Sequence, residues 1–168
     1  QTGEIVGIMG GRNWASGGSM LLDHATEQFK QPGSAIKPVL DYALAFEDLG
    51  WATSHTVVDK PVTYGNWTFN NFDNTNWGVV DLSKAVGLSL NTVAINALQA
   101  VIDKSGVQRV TNYLTSLGFS QFKPELFDIS FAIGGGNMRI SAKELAAATG
   151  VLINGGNYIK PHTINTIF

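Results

Sequence analysis

From residue 34 to residue 49 the chain carries a helical pattern that limits what the rest can become. Ile36, Val39, Leu40, Ala43, Leu44 and Phe46 recur at three- and four-residue spacing, the period of a helix with one buried face. Gln31-Pro32-Gly33 stops what precedes it, and Ser34 is a good N-cap. Pro38 falls in the first turn, where a missing N–H is tolerated, and Gly50 closes the run. One amphipathic helix cannot bury its face alone, so the remaining sequence has to supply packing partners.

It supplies them in an α+β order. Residues 81–86 predict a short helix, and residues 91–103 a longer one with Val93, Ala94, Ala97, Leu98 and Val101 on one face. Residues 107–117 predict another helix, closed by Gly118. Ser141 and Glu144 have capping-box spacing ahead of an Ala-rich helix, expected to be buried and to reach about Ile153. Residues 4–9 predict a short buried strand, and residues 158–168 alternate like a strand after the turn at 154–157. Residues 12–14 predict an extended piece and 15–19 a loop, while 20–30 fit helix or loop. Residues 56–80, rich in Thr, Asn, Gly and aromatics without a period, predict a long ordered loop with short strands.

Composition excludes several classes. With 44% hydrophobic and 14% charged residues in 168, a single core-forming domain is expected and intrinsic disorder is not. A net charge of -2 lacks the basic excess of a protein held to nucleic-acid phosphates. No apolar stretch approaches the ~18 residues of a membrane helix, and residues 1–6 lack the features of a signal peptide. Without cysteine, disulfides, thiolate catalysis and cysteine-ligated zinc drop out. His24, His55 and His162 have no spacing that suggests a metal site or a Ser-His pair.

Two patterns carry chemistry. Ser-x-x-Lys occurs at Ser34/Lys37 and at Ser120/Lys123. The second lies in a loop between Gly118 and Pro124 and reads as a surface turn. At the first, a helix start places Lys37 one turn beyond Ser34 on the same face. Burial and the positive helix end lower a lysine pKa, and a neutral lysine can act as general base on a hydroxyl. The plain alternative is an N-cap serine beside a solvated lysine. Ser89-Leu90-Asn91 opens the helix at 91 and is the one Ser-x-Asn in the chain. A second hydroxyl can relay a proton and an amide can bind an amide; helix capping is again the alternative.

In this order, Ser34-x-x-Lys37 followed by Ser89-x-Asn91 resembles the penicillin-binding proteins and serine β-lactamases. The wording is similar to the transpeptidase domain of class A (bifunctional) penicillin-binding proteins over essentially residues 1–168. The matching stretches are Thr2 to Arg12, Gln31 to Pro38, Ser89 to Ala94, Ile133-Gly134-Gly135-Gly136, Glu144 to Ala148 and Asn154-Gly155-Gly156. The resemblance implies an α+β transpeptidase fold, an antiparallel sheet with helices on both faces and a helical subdomain. The family's third motif, Lys-[Thr/Ser]-Gly on a sheet edge, is not in place. Lys104-Ser105-Gly106 has the letters but ends the helix that begins at Asn91, and ~12 residues of helix carry it ~18 Å from Ser89. The chain is therefore expected to be the N-terminal part of such a domain, incomplete and inactive or nearly so alone, with a glycosyltransferase domain and a membrane anchor expected before residue 1.

For mechanism, the resemblance implies a serine acyl-enzyme on stem peptides ending in D-Ala-D-Ala. Ser34 would be the nucleophile, Lys37 its base, Ser89 the relay to the leaving amine and Asn91 the binder of the substrate amide. The Ser34 N–H would be one oxyanion donor. The implied partners are peptidoglycan stem peptides, β-lactams and the C-terminal remainder of the domain, with no nucleic acid, no metal and no cofactor. The implied place is the extracytoplasmic face of the bacterial membrane, reached only through the missing anchor. A serine β-lactamase or D,D-carboxypeptidase, a noncatalytic penicillin-recognising sensor and a glycan-binding module are the rival readings. Tyr64, Trp67, Phe69, Phe72 and Trp77 fit either an acyl-donor cleft or hydrophobic cover, Asn70 and Asn71 fit turns, and Gly134-Gly135-Gly136 fits a tight bend beside the site.

Overall fold

The structure is a computed structural model that describes residues 2–11, 22–164 and 166. The extended piece at 12–14 and the loop at 15–19 lie outside the described residues.

The helical path expected over 34–49 forms, but in three gauges: a 3-10 turn at Gly33–Ile36, a π turn at Pro38–Tyr42, and α1 at Ala43–Leu49. Proline is the reason. Pro38 has no N–H to return to the Ser34 carbonyl, which instead accepts from Lys37 N at 3.3 Å. The Lys37 carbonyl then accepts from both Asp41 N (3.1 Å) and Tyr42 N (3.2 Å), which widens the next turn. Ser34 is not the N-cap expected of it. Gly33, at φ 58°, already belongs to the turn, the N-cap position is Pro32, and the Ser34 side chain lies exposed inside the first turn. Gly50 closes α1 in the left-handed region, as expected.

α1 packs on α3 (Asn91–Ser105), which turns at Gly106 into α4 (Val107–Ser116). Ile36, Leu40 and Leu44 meet Ile95, Leu98, Val101, Leu114 and Phe131 in one core. Lys104 donates to the Asp48 carbonyl at 2.6 Å and Arg109 pairs with the Asp48 carboxylate at 2.8 Å. Two cations thus sit on the carbonyl end of α1 and tie it to α3 and α4. A second cluster joins Tyr42, Val80, Leu90, Val93 and Ala94 with Leu82 and Ala85 of α2 (Leu82–Gly87), which Asp81 caps through Lys84 N.

The loop at 56–80 holds short strands, as its composition suggests. β1 (Thr56–Asp59) pairs antiparallel with β4 (Gly78–Asp81), and β2 (Val62–Tyr64) with β3 (Trp67–Phe69). The sheet structure of the described residues therefore lies mid-chain, not at the ends. The buried strand expected at 4–9 is reduced to a parallel bridge from Glu4 to His162, and residues 158–164 show no more than that. A strand needs a neighbour for its N–H and C=O groups. Ile5 N donates to the His162 carbonyl at 2.8 Å; among the described residues, 6–9 have no backbone partner, and Val6 is 93% exposed. α5 (Ala142–Gly150) starts at the capping box of Ser141 and Glu144, but of its residues only Glu144 and Ala148 are buried. Its alanine face borders an open groove of about 470 Å³ against residues 3–9. Residues 22–30 form a turn and end at a bridge from Lys30 to Ile140.

Candidate active site

Ser34 and Lys37 are three apart across a 3-10 turn, where such side chains eclipse. Ser34 stays exposed while Lys37 is 2% exposed. Among the described residues no hydrogen bond joins their side chains. Lys37 Nζ instead donates to the Ser89 carbonyl at 2.6 Å, the Ser89 Oγ at 3.2 Å and the Asn91 Oδ1 at 2.7 Å. Three acceptors match the three N–H bonds of an ammonium. Burial lowers the Lys37 pKa to about 8, with Asp41 working in the opposite direction. Asp41 lies one turn beyond Lys37 and is fully buried. Its carboxyl pKa is pushed well up by burial, opposed by Lys37. A lysine with a pKa near 8 keeps a substantial neutral fraction at slightly alkaline pH and is fit to take a proton from a neighbouring hydroxyl.

Ser89 owes its position to unusual backbone. It is one of two non-glycine residues at positive φ among those described, at 53°. Its N–H is held by the Val86 carbonyl at 3.0 Å, while Leu90 N returns to the Ala85 carbonyl at 3.0 Å. The left-handed turn directs the carbonyl and the hydroxyl of one residue at the same ammonium. Such a conformation costs on the order of 1 kcal/mol for a residue with a Cβ and persists where surrounding structure imposes it.

Gly134 sets the floor under Ser34. It has φ 66°, its carbonyl accepts from Gly33 N at 3.3 Å, and a Cβ built on it would run into the Gly33 backbone. The tight bend expected at 134–136 is thus packed directly against the residue before Ser34.

Sequence reasoning missed Asp59 and the role of Asn71. Both are buried, at 1% and 4% exposure. Asn71, read as a turn residue, instead accepts from Asn91 N at 2.9 Å and donates to Asp59 Oδ1 at 2.8 Å. Neither residue carries a local signal, since residues 56–80 have no period. Asp41 did carry one: a carboxylate four residues after a lysine, one helical turn away on the same side. Of the aromatics, Phe69 packs on the core, whereas Trp67 is 71% and Phe72 100% exposed. Phe72 therefore covers nothing within the described residues.

The remaining candidates fall away from this centre. Lys104 sits at the far end of the 15-residue α3, engaged with Asp48. Ser120 N donates to Glu144 Oε1 at 2.9 Å, and Lys123 precedes a 3-10 turn. His55 stacks on Trp51 at 3.9 Å, and His162 belongs to the bridge to Glu4. Among the described residues there is no cluster of three or more metal-ligating side chains, and no helix is long and apolar enough to cross a membrane.

Comparison with known proteins decides the family. The family described as "Penicillin binding protein transpeptidase domain" matches residues 1–168. This chain belongs to the penicillin-binding protein transpeptidases. It is 32% identical over 170 residues to penicillin-binding protein 1A/1B of Bacillus subtilis, covering 99% of this chain and 18% of that protein. It is 31% identical to penicillin-binding protein 1A of Aquifex aeolicus, covering 99% of this chain and 22% of that protein. The chain therefore spans about a fifth of the length of these relatives. Among solved structures, penicillin-binding protein 1A of Haemophilus influenzae superposes with a TM-score of 0.68 at 29% identity, over 84% of this chain and 20% of that one. PonA1 of Mycobacterium tuberculosis shares the fold at a TM-score of 0.72 and 21% identity, over 91% of this chain and 40% of that one. The α+β transpeptidase fold is thus that of the penicillin-binding proteins.

Proposed function

We propose that residues 1–168 are part of a peptidoglycan D,D-transpeptidase domain that cross-links stem peptides through a serine acyl-enzyme. The observation that carries the reading is the buried Lys37 ammonium, bonded at once to Ser89 Oγ and Asn91 Oδ1 and one 3-10 turn from the exposed Ser34. In this reading neutral Lys37 takes the Ser34 hydroxyl proton, and Oγ attacks the penultimate D-Ala carbonyl carbon. The C–N bond then breaks, Ser89 relays a proton to the departing D-Ala amine, and an ester to Ser34 remains. An amine of a neighbouring stem peptide attacks that ester, forms the cross-linking amide and returns the proton to Ser34. A β-lactam enters by the same first step, but its amine stays tethered. The Asn91 Nδ2 has one N–H engaged with the Asn70 carbonyl at 3.1 Å, which leaves its second for the substrate amide.

The second oxyanion donor and the Lys-[Thr/Ser]-Gly strand belong, in this reading, to sequence beyond residue 168. The open groove between residues 3–9 and α5, with Met9 78% exposed, supports a covering segment of the larger protein there. An anchor elsewhere in that protein would hold the domain at the extracytoplasmic face of the membrane. A β-lactamase requires a further carboxylate for deacylation. The Glu144 carboxylate accepts from Ser141 N and Ser120 N, and that of Asp128 from Ser130 N, which favours the transpeptidase.

The test is intact mass spectrometry of the complete polypeptide before and after benzylpenicillin. Gain of one penicilloyl mass, lost in Ser34→Ala and stable over hours, is the expected result. Rapid turnover of the adduct would indicate a β-lactamase. No adduct on folded protein would remove the acyl-enzyme reading.

A further inference from the structure

α3 begins with a problem of capping. Its N-cap is Leu90, whose side chain accepts nothing, yet the first N–H groups of a helix need acceptors. The acceptor arrives from 20 residues upstream. Asn71 Oδ1 accepts from Asn91 N at 2.9 Å and from Thr92 N at 3.4 Å. Its Nδ2 donates to Asp59 Oδ1 at 2.8 Å and to the Thr75 carbonyl at 2.9 Å. Donors on one side and acceptors on the other leave the amide one workable orientation. Asp59 is held in turn by Thr92 Oγ1 on one oxygen and by Trp77 N at 2.8 Å on the other. The adjacent Asn70 carbonyl accepts from Asn91 Nδ2 at 3.1 Å. Asn91 is therefore gripped twice from the loop at 70–77, by its backbone N–H and by its side-chain amide. Both grips turn Oδ1 toward Lys37, which it meets at 2.7 Å.

We propose that Asn71, buttressed by Asp59, is a positioning residue for acylation: it caps α3 from a neighbouring loop and so sets Asn91 against Lys37. The proposal rests on the acyl-enzyme reading above. Asn71 and Asp59 touch neither the reacting hydroxyl nor the lysine, so their effect has to travel through Asn91.

The test uses the complete polypeptide, a fluorescent penicillin, and second-order acylation rates measured below the melting temperature of every variant. Asn71→Ala should slow acylation about 10- to 100-fold, the scale of a misplaced catalytic group. In an Asn91→Ala background the same change should cost less than about threefold, because the group it positions is already gone. Asn71→Ser, which keeps one acceptor at the helix terminus, should recover part of the rate. A merely structural effect would instead lower stability and add in full to Asn91→Ala. The proposal is overturned if Asn71→Ala acylates within about twofold of wild type, or if the two changes are additive. If Asn71→Ala does not fold, Asp59→Asn, which disturbs the same bridge, is put through the same cycle under the same criteria. Wild-type protein that takes no label, or takes it equally as Ser34→Ala, would sink the acyl-enzyme reading itself, a result distinct from either outcome of the cycle.

Discussion

Lys37 sits where water barely reaches it, and burial loosens its proton even though three hydrogen bonds hold the ammonium. Burial brings its pKa to about 8, while the carboxyl of Asp41 favours the ammonium. Acylation should accordingly rise with pH through about 8 as the lysine loses its proton. Asp41→Asn removes an influence that holds the proton on, so the midpoint of that rise should move to lower pH. The pH profile of the acylation rate with a fluorescent penicillin checks this, and an unmoved midpoint would mean that Asp41 carries no charge there. Ser89 offers a second test. At φ 53° it is strained, and glycine is not. Ser89→Gly should melt no lower than wild type, while losing about 100-fold or more in acylation with the relay hydroxyl. A large drop in melting temperature would show that the hydroxyl, not the backbone, stabilises the turn.

At the scale of elements, the centre depends on a close approach between two backbones. Gly134 lies against Gly33, with no room for a Cβ. Gly134→Ala should therefore displace the 3-10 turn that carries Ser34, at a stability cost of about 2 kcal/mol or more and with slower acylation. Thermal unfolding and labelling together check both effects. Much of this level was legible in the sequence. The periods at 91–103 and 107–117, the stops at Gly50, Gly106 and Gly118, and the capping box at Ser141 all formed close to where their residues place them. The gauge of the first helix was not legible. Pro38 is tolerated in any first turn, and its position alone does not say that the Ser34 carbonyl will take Lys37 N and the Lys37 carbonyl both Asp41 N and Tyr42 N.

At the scale of the molecule, the helical half has a closed core, and among the described residues the terminal segments do not. Ile36, Leu98 and Leu114 are fully buried, whereas Val6, Met9 and Ile153 are exposed around the groove beside α5. Exposed extended backbone of this kind invites pairing with other chains. Residues 1–168 expressed alone should therefore associate, and, on the proposed reading that the second oxyanion donor lies outside them, should label with penicillin at least about 100-fold more slowly than the complete polypeptide. Size-exclusion chromatography and parallel labelling check both. Equal labelling of a monomeric segment would place the whole acylation machinery within it.

The sequence by itself determined what is local. Period and caps set the helices, and the spacings Ser34-x-x-Lys37 and Ser89-x-Asn91 set which side chains share a turn. These are properties of a few consecutive residues, and backbone geometry converts them directly into faces. Only the tertiary structure decided which turns meet. It brought Lys37 to Ser89 and Asn91 rather than to Ser34, put Ser89 in the left-handed region, and assembled Asp59, Asn71 and Thr92 into the bridge that caps α3. Such contacts join residues 12 to 54 positions apart. They form because buried donors and acceptors must be satisfied once the core has closed, a demand that leaves no mark on the local pattern.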